Sequence, residues 1–305
     1  MCRNSAFIPP MVAIALLAVA ARADLPWTAM PGGRGAPLTI GSGGKPGFTL
    51  LSPTATGIRF TNTLSDALAA ENQIRLLGSG IALGDVDGDG LCDIYACALA
   101  RGNALYRNLG NWSFEDITAS AGVACARQYS TGAALADVDG DGDLDLLVNS
   151  IGGGTRLFLN DGKGRFTESA NAGLEKRYCA TSMALADVDG DGDLDLYVAN
   201  YRTTTVRSTG LTVFNVDGKR MVRPEDREQY EFTPEGLLLE HGEPDILYLN
   251  DGKGRFTPVS WTGGAFVDED GKPLTAPQKD WGLSVMLRDI NGDGAPDIYI
   301  CNDFW

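Results

Sequence analysis

The chain has 305 residues, 40 acidic side chains against 25 basic ones and a single histidine, for a formal net charge of −15. Seventeen of the acids fall in four short segments, and the rest of the chain carries 23 acids against 25 bases, so the negative charge is focused rather than spread as a solubilising coat. Focused carboxylates argue against nucleic acid as a partner, and one histidine with no CxxC pair argues against zinc.

From the N-terminus, Arg3 is followed by an apolar run, Phe7 to Ala20, and by Ala21, Arg22 and Ala23, a small-x-small cleavage pattern. Residues 1–23 therefore read as a secretory signal with the mature chain starting near Asp24; an uncleaved N-terminal anchor is the competing reading. No later stretch is long and apolar enough to span a membrane as a helix. Export permits disulfides, but Cys92, Cys97, Cys125, Cys179 and Cys301 are odd in number and their pairing is not legible. Most of them read as small buried apolar residues.

Residues 24–47 read as a linker. The segment FTLLSPTATGI from Phe48 resembles FEDITASAGV from Phe114 and FTESANAGL from Phe166. It reads as an outer strand without inner strands before it, as expected if a ring is closed by the first strand of the chain; an extended lead-in is the alternative. Residues 65–77 have room for one short helix.

Internal repetition then dominates. IALGDVDGDGLCDIYAC starts at Ile81, AALADVDGDGDLDLLVN at Ala133, MALADVDGDGDLDLYVA at Met183 and VMLRDINGDGAPDIYIC at Val285. Their leading aspartates, Asp85, Asp137, Asp187 and Asp289, are spaced by 52, 50 and 102 residues. A second motif follows each of the first three, with its asparagine at Asn108, Asn160 and Asn250. The third copy comes about 40 residues late, which places an insertion at about 201–241, a surface excursion with room for a hairpin of its own. Each repeat reads as four short strands, two flanking the Asp-rich loop and two flanking a turn such as NDG at Asn160 and Asn250. The expected fold class is all-β, a β-propeller with four-stranded blades at about 78–118, 130–170 and 180–260 and a partial blade at 281–305. A β-solenoid is the alternative. The chain stops after the second strand of its fourth repeat, so it reads as an incomplete ring and part of a longer protein.

The loops carry the chemistry. Side chains at positions 1, 3, 5 and 9 and the carbonyl at position 7 can converge on one cation, and glycines at positions 4 and 6 permit the tight backbone. A donor set of carboxylates and a carbonyl suits Ca²⁺, which takes ~6–8 oxygens at flexible geometry, better than Mg²⁺. The candidate ligands are Asp85, Asp87, Asp89, Leu91 and Asp93; Asp137, Asp139, Asp141, Asp143 and Asp145; Asp187, Asp189, Asp191, Asp193 and Asp195; and Asp289, Asn291, Asp293, Ala295 and Asp297, for up to four Ca²⁺. At position 7 the carbonyl is the expected donor, with the Asp143 and Asp193 side chains facing solvent. Asn291 removes one charge and weakens the fourth site. These are not EF-hands, because position 12 is Ala96, Val148, Val198 or Ile300 instead of a bidentate Glu, and the flanks read as strands. Acidic turns without a cation are the alternative, disfavoured by carboxylate repulsion.

These motifs resemble the FG-GAP/VCBS repeat family over residues 48–305, with its DxDGDGxxD loops, and the ending DIYICNDFW from Asp297 resembles exported proteins with an ASPIC/UnbV module after the repeats. The resemblance implies a propeller of the integrin α type, calcium at the aspartates above and a secreted, periplasmic or cell-surface location. The function it implies is a binding, adhesion or scaffold module for a protein or glycan partner. The alternative is a calcium-dependent polysaccharide-active enzyme, for which Glu235, Glu240, His241 and Glu243 form the one compact acid/base candidate; a solvated loop is the plainer reading of that cluster. Trp112, Trp261, Trp281 and Tyr230 read as core or inter-blade packing ahead of ligand contacts.

Overall fold

The computed structural model describes residues 27–30, 33–35 and 47–303. The signal read over 1–23 lies outside the described residues. The chain divides into two units, Met1–Leu50 and Leu51–Trp305. In the first, β1 (Thr28–Met30) and β2 (Gly33–Gly35) form an antiparallel hairpin.

The second unit is built from one pattern repeated. β3 (Ile81–Gly84), β4 (Asp93–Ala96), β5 (Ala104–Asn108) and β6 (Phe114–Asp116) form sheet I in sequence order. β7 (Ser130–Ala136), β8 (Asp145–Ser150), β9 (Gly154–Asn160) and β10 (Phe166–Glu168) form sheet II. Sheet III starts with β11 (Ala180–Ala186) and β12 (Asp195–Asn200). The insertion follows and folds as two hairpins rather than one, β13 (Val213–Val216) with β14 (Lys219–Val222) and β15 (Tyr230–Phe232) with β16 (Leu238–Glu240). Sheet III then resumes with β17 (Ile246–Asn250) and β18 (Phe256–Pro258). β19 (Gly282–Arg288) and β20 (Asp297–Asn302) form a fourth, two-stranded sheet. All pairings are antiparallel, and among the described residues helices are limited to short turns such as Asp66–Glu71, followed by a 3₁₀ turn at Gln73–Leu77.

The sheets bury both faces, which is why their second strands read as unbroken apolar runs instead of alternating ones. In β8, Leu146 and Val148 join Tyr95 and Leu105 of sheet I in one core cluster. Leu147, from the opposite face of the same strand, joins Leu196, Val198 and Tyr248 of sheet III in another. Tyr197 and Leu247 of sheet III pack in turn with Val285, Ile298 and Ile300 of the fourth sheet. The first strands lie side by side from sheet to sheet. Their starts are tied by side chains, the Thr131 hydroxyl donating to the carbonyl of Ala180 and the Thr181 hydroxyl to that of Gly282 at 2.7 Å.

Antiparallel order fixes two ends. The turns after the first and third strands share one end, where the Asp-rich loops lie. The turns after the second strand, the links between sheets and the insertion share the other. Of the outer strand and following turn expected over Phe48–Ile58, the strand is not formed: residues 48–52 are in no strand and the Phe48 side chain is fully exposed. What forms is a helical turn, Pro53–Thr56, closed by left-handed Gly57, matching Thr118–Ala121 and Gly122 after sheet I. A Cβ on Gly57, Gly122 or Gly173 would sit against the carbonyl oxygen of Phe114, Phe166 or Phe256, so each such turn abuts the outer strand of the sheet that follows it. The turn closes on its own backbone, whereas a strand needs a partner for its N–H and C=O groups.

Candidate metal centres

Each loop is wound around its first aspartate. Asp85 Oδ1 accepts the N–H groups of Gly88 (2.9 Å) and Asp89 (3.2 Å), and its Oδ2 accepts that of Gly90 (2.7 Å). Asp137 does the same with Gly140 and Gly142, Asp187 with Gly190 and Gly192, and Asp289 with Gly292 and Gly294. Turning the backbone this tightly needs left-handed residues, and Gly88 and Gly90 have φ of +74° and +84°. The fifth-position carboxylates fold a second turn, with Asp89, Asp141, Asp191 and Asp293 each accepting the N–H two residues on, from Leu91, Asp143, Asp193 and Ala295.

The ninth position is in the second strand and holds the loop to the sheet. Asp93 accepts Val86 N–H (2.9 Å) and Asn108 N–H (2.7 Å); Asp145 accepts Val138 (3.1 Å) and Asn160 (2.9 Å); Asp195 accepts Val188 and Asn250 (both 2.9 Å). These three aspartates have no solvent exposure. The arrangement brings together one carboxylate oxygen from each of Asp85, Asp87 and Asp93, all within 4.8 Å of one another, and likewise for Asp137, Asp139 and Asp145 and for Asp187, Asp189 and Asp195. Asp89, Asp141 and Asp191 stand outside these trios.

The fourth loop is arranged differently. Asn291 turns its amide onto the carboxylates, Nδ2 donating to Asp293 Oδ2 at 3.0 Å and to Asp297 Oδ1 at 3.4 Å, so a neutral donor lies between the acids. Asp143 and Asp193 are half-buried, and their carboxylates lie over the following hairpin. A Cβ placed on Gly162 would collide with the Asp143 carboxylate, and one on Gly252 with that of Asp193, so both carboxylates occupy space that the glycines of the following hairpin leave open.

The electrostatics match a site short of positive charge. Burial, then the nearby Asp87 and Asp89, raises Asp93 above the usual carboxylate range against the pull of its two N–H donors. Burial pushes Asp145 up to about 6, with Asp139 and Asp141 adding to it. Asp139 and Asp189 are raised too, by desolvation and by their acidic neighbours. All-oxygen, anionic trios of this kind fit a hard divalent cation, and each of the three could hold a metal ion.

The acid/base candidates make contacts of their own, and His241 Nε2 lies 3.6 Å from a Glu231 carboxylate oxygen. Glu240 pairs with the buried Arg202 guanidinium at 3.1 Å, and Glu243 accepts the backbone N–H groups of Cys179 (2.6 Å) and Thr203 (3.0 Å). Glu235 is engaged locally, by Thr233 and its own backbone. Trp281 and Tyr230 are buried, Trp261 stacks on Phe266 at 4.1 Å between ring centroids, and Trp112 is 72% exposed. The five cysteines of the described residues are free thiols, with Cys97, Cys125 and Cys179 buried.

Sequence reasoning missed the asparagines. Asn160 and Asn250 read as the start of hairpin turns, yet their backbones bond to the buried ninth-position aspartates and their side chains reach the preceding loop. The recurrence of Asn at that position was the signal.

An all-β unit of repeated sheets, each opening on an Asp-rich loop, is a repeat protein of one recognisable class: a model of the FG-GAP-like repeat matches residues 85–148 and 137–198. The chain carries FG-GAP-like repeats and is homologous to cartilage acidic protein 1. It is 30% identical to that protein of Mus musculus over 194 residues and to that of Homo sapiens over 199, in each case 64% of this chain. With that of Xenopus tropicalis it shares 38% identity over 96 residues, 30% of this chain. The chain spans 27%, 26% and 15% of the length of these three relatives. A solved structure, the V. cholerae biofilm matrix protein Bap1, aligns over 72% of this chain and 34% of its own, at 19% identity and a TM-score of 0.31.

Proposed function

We propose that the chain is part of an exported calcium-binding β-propeller that serves as a binding or adhesion module for a protein or glycan, its sheets being successive blades. The observation that carries the proposal is the threefold recurrence of a carboxylate trio within 4.8 Å, each trio with one member fully buried. Calcium, held by the aspartates at positions 1, 3, 5 and 9 and the carbonyl at position 7, offsets the crowding of carboxylates in each trio and fixes the loop end of each blade. The Asp289 loop, with Asn291 in place of an acid, binds more weakly.

The opposite end is the partner-facing one in this reading. The insertion projects there, and two open cavities lie there. One, of about 910 Å³, has Arg127, Arg156, Arg177 and Glu175 in its lining; the other, of about 490 Å³, has Gln73, Arg207 and Asp303. Among the described residues no helix is long and apolar enough to cross a membrane.

Thermal unfolding of chelator-treated protein tests the metal. Millimolar Ca²⁺ raises the midpoint and Mg²⁺ raises it less, because each site filled at a hundredfold excess over its dissociation constant contributes about 2.7 kcal/mol. An unchanged midpoint with no ion in native mass spectra would remove the calcium reading.

A further inference from the structure

We propose that Asn160 and Asn250 are positioning residues that couple the metal sites of neighbouring repeats, so that the first three sites load as one cooperative unit. The inference rests on the calcium reading above and concerns how the sites act on one another.

Asn160 touches two loops at once. Its backbone N–H donates to Asp145 Oδ1 at 2.9 Å and its side-chain Nδ2 to the carbonyl of Leu144 at 3.0 Å, both in the loop of its own repeat. The same Nδ2 donates to the carbonyl of Val86 at 2.9 Å, and Val86 lies between the ligand candidates Asp85 and Asp87 of the preceding loop. Asn250 repeats the arrangement one step on, binding Asp195 (2.9 Å) and Leu194 (3.2 Å) of its own loop and Val138 (2.8 Å), between Asp137 and Asp139, of the loop before. The hairpin turn that each asparagine opens rides on the earlier loop. Gly254 N–H donates to Val138 O at 3.0 Å, and Cβ atoms built on Gly164 and Gly254 would lie 3.8 Å from the Cβ atoms of Asp87 and Asp139.

Two details set this apart from ordinary turn chemistry. Asn160 Oδ1 and Asn250 Oδ1 are both buried without a hydrogen-bond partner. An unpaired buried acceptor costs about 1–3 kcal/mol, and the same cost at the same position twice marks the paired donors as the part that matters. The counterexample is Asn108, which follows the first Asp-rich loop of the described residues. Its Nδ2 donates only within its own repeat, to Cys92 O at 2.9 Å, and its Oδ1 accepts Gly110 N–H at 2.9 Å.

The physical consequence is linkage. An ion in the second loop orders Asp145 and with it Asn160, whose amide then holds the Val86 carbonyl and the two aspartates beside it. The first site is thereby ordered in advance, and the ordering cost of its own ion falls. By reciprocity the first ion helps the second to the same degree.

Calcium titration calorimetry on the full chain at about 0.15 M salt, where the Debye length is about 8 Å, tests this. Asp139→Asn with Asp141→Asn silences the second site while leaving the buried aspartates in place. Coupling predicts that the ions still bound do so about tenfold more weakly and that the Hill coefficient falls from about 2 or more to near 1. In an Asn160→Ala background, which keeps every charge, the same silencing leaves the first site unchanged. Remaining affinities within about twofold of the parent chain, in the parent background, overturn the coupling while leaving calcium binding intact. If Asn160→Ala fails to fold, the silenced parent chain decides alone. A parent chain that takes up no calcium overturns this inference and the calcium reading together.

Discussion

At one end of the three complete sheets, Asp93, Asp145 and Asp195 are buried in the same way and hold the same pair of backbone N–H groups. At the other end the corresponding connections share almost nothing. Between β4 and β5 the link is a short run to Asn103, between β8 and β9 a three-residue turn at 151–153, and between β12 and β17 an excursion with two hairpins. The loop end is wound by local bonds from the first and fifth aspartates and tied in each repeat by the same longer bond, from the ninth aspartate to Asn108, Asn160 or Asn250, so it can repeat. The opposite end is held by contacts that differ more from repeat to repeat. Variation there leaves the regular end undisturbed, which is the usual division of labour between a scaffold and its binding loops.

The largest effect expected from breaking the regular end comes from its buried aspartates. Asp145→Ala leaves the N–H groups of Val138 and Asn160 unpaired, and at about 1–3 kcal/mol for each stranded donor it should destabilise by about 4 kcal/mol even in chelator, read as a fall in the urea midpoint. Asp141→Ala should cost under about 0.5 kcal/mol in chelator, being an exposed substitution, and should lower the calcium-dependent stabilisation by at least one site's share, about 2.7 kcal/mol. The pH dependence separates them further. Asp145 sits at about 6 when folded, above its unfolded value, so without metal its contribution to stability is present below about pH 4 and is lost as pH rises through 6. Calcium reverses that trend, because the cation favours the ionised form.

At the irregular end the comparable anchor is Arg202. Its guanidinium is 1% exposed, pairs with Glu240 at 3.1 Å, donates to the carbonyl of His241 at 2.9 Å and lies 4.4 Å from the Tyr230 ring centroid. Glu240 also accepts the N–H of Val206 at 2.8 Å, so one pair holds both ends of the insertion. Removing one partner of a buried pair costs about 3–5 kcal/mol. Arg202→Ala should sit at the lower end, about 3 kcal/mol, because the insertion can loosen and let Glu240 reach water. Limited proteolysis should then cut within 210–237, while the midpoint gain from calcium stays that of the parent chain. A lost calcium response in this variant would show that the two ends are not independent.

The same contrast explains what the sequence made legible. The Asp-rich loops were readable because the bonds that wind them, from the first and fifth aspartates, span at most five residues, and the sheets because their apolar runs recur with the loops. Asn160 was readable only as a turn, since its partner Val86 is 74 positions away. Asp143 was expected in solvent because nothing nearby claims it; it is half-buried, and its closeness to Gly162 of the following hairpin was not legible. The FTLLSPTATGI segment was right about its turn, where Gly57 N–H reaches Pro53 O at 2.9 Å, and wrong about its strand, which no local bond can make. Arg202 gave no sign at all, because a lone arginine before an insertion looks like any surface charge until its partners fold over it.

The smallest of the three effects tests the irregular end against itself. Asn103 and Asp245 occupy the same place, one residue before the third strand of sheets I and III. Asn103 Oδ1 accepts Ala98 N–H at 2.8 Å and its Nδ2 donates to Tyr95 Oη at 2.7 Å. Asp245 accepts Asn200 N–H at 2.6 Å and the Tyr197 hydroxyl at 3.2 Å. Burial raises Asp245 to about 7 in spite of those two bonds, with Asp280 adding to the rise. A folded value above the unfolded one means that its stabilising contribution is complete below about pH 4 and is lost as pH rises through 7. Asp245→Asn installs the amide that sheet I already uses, so it should stabilise by about 2 kcal/mol at pH 8 and by nothing measurable at pH 4. Asn103→Asp should do the opposite, costing about 2 kcal/mol at pH 8 and little at pH 4. Urea midpoints of the two variants across that range would move in opposite directions and converge at low pH; parallel pH profiles would show that the two sites, alike in hydrogen bonding, differ in how far water reaches them.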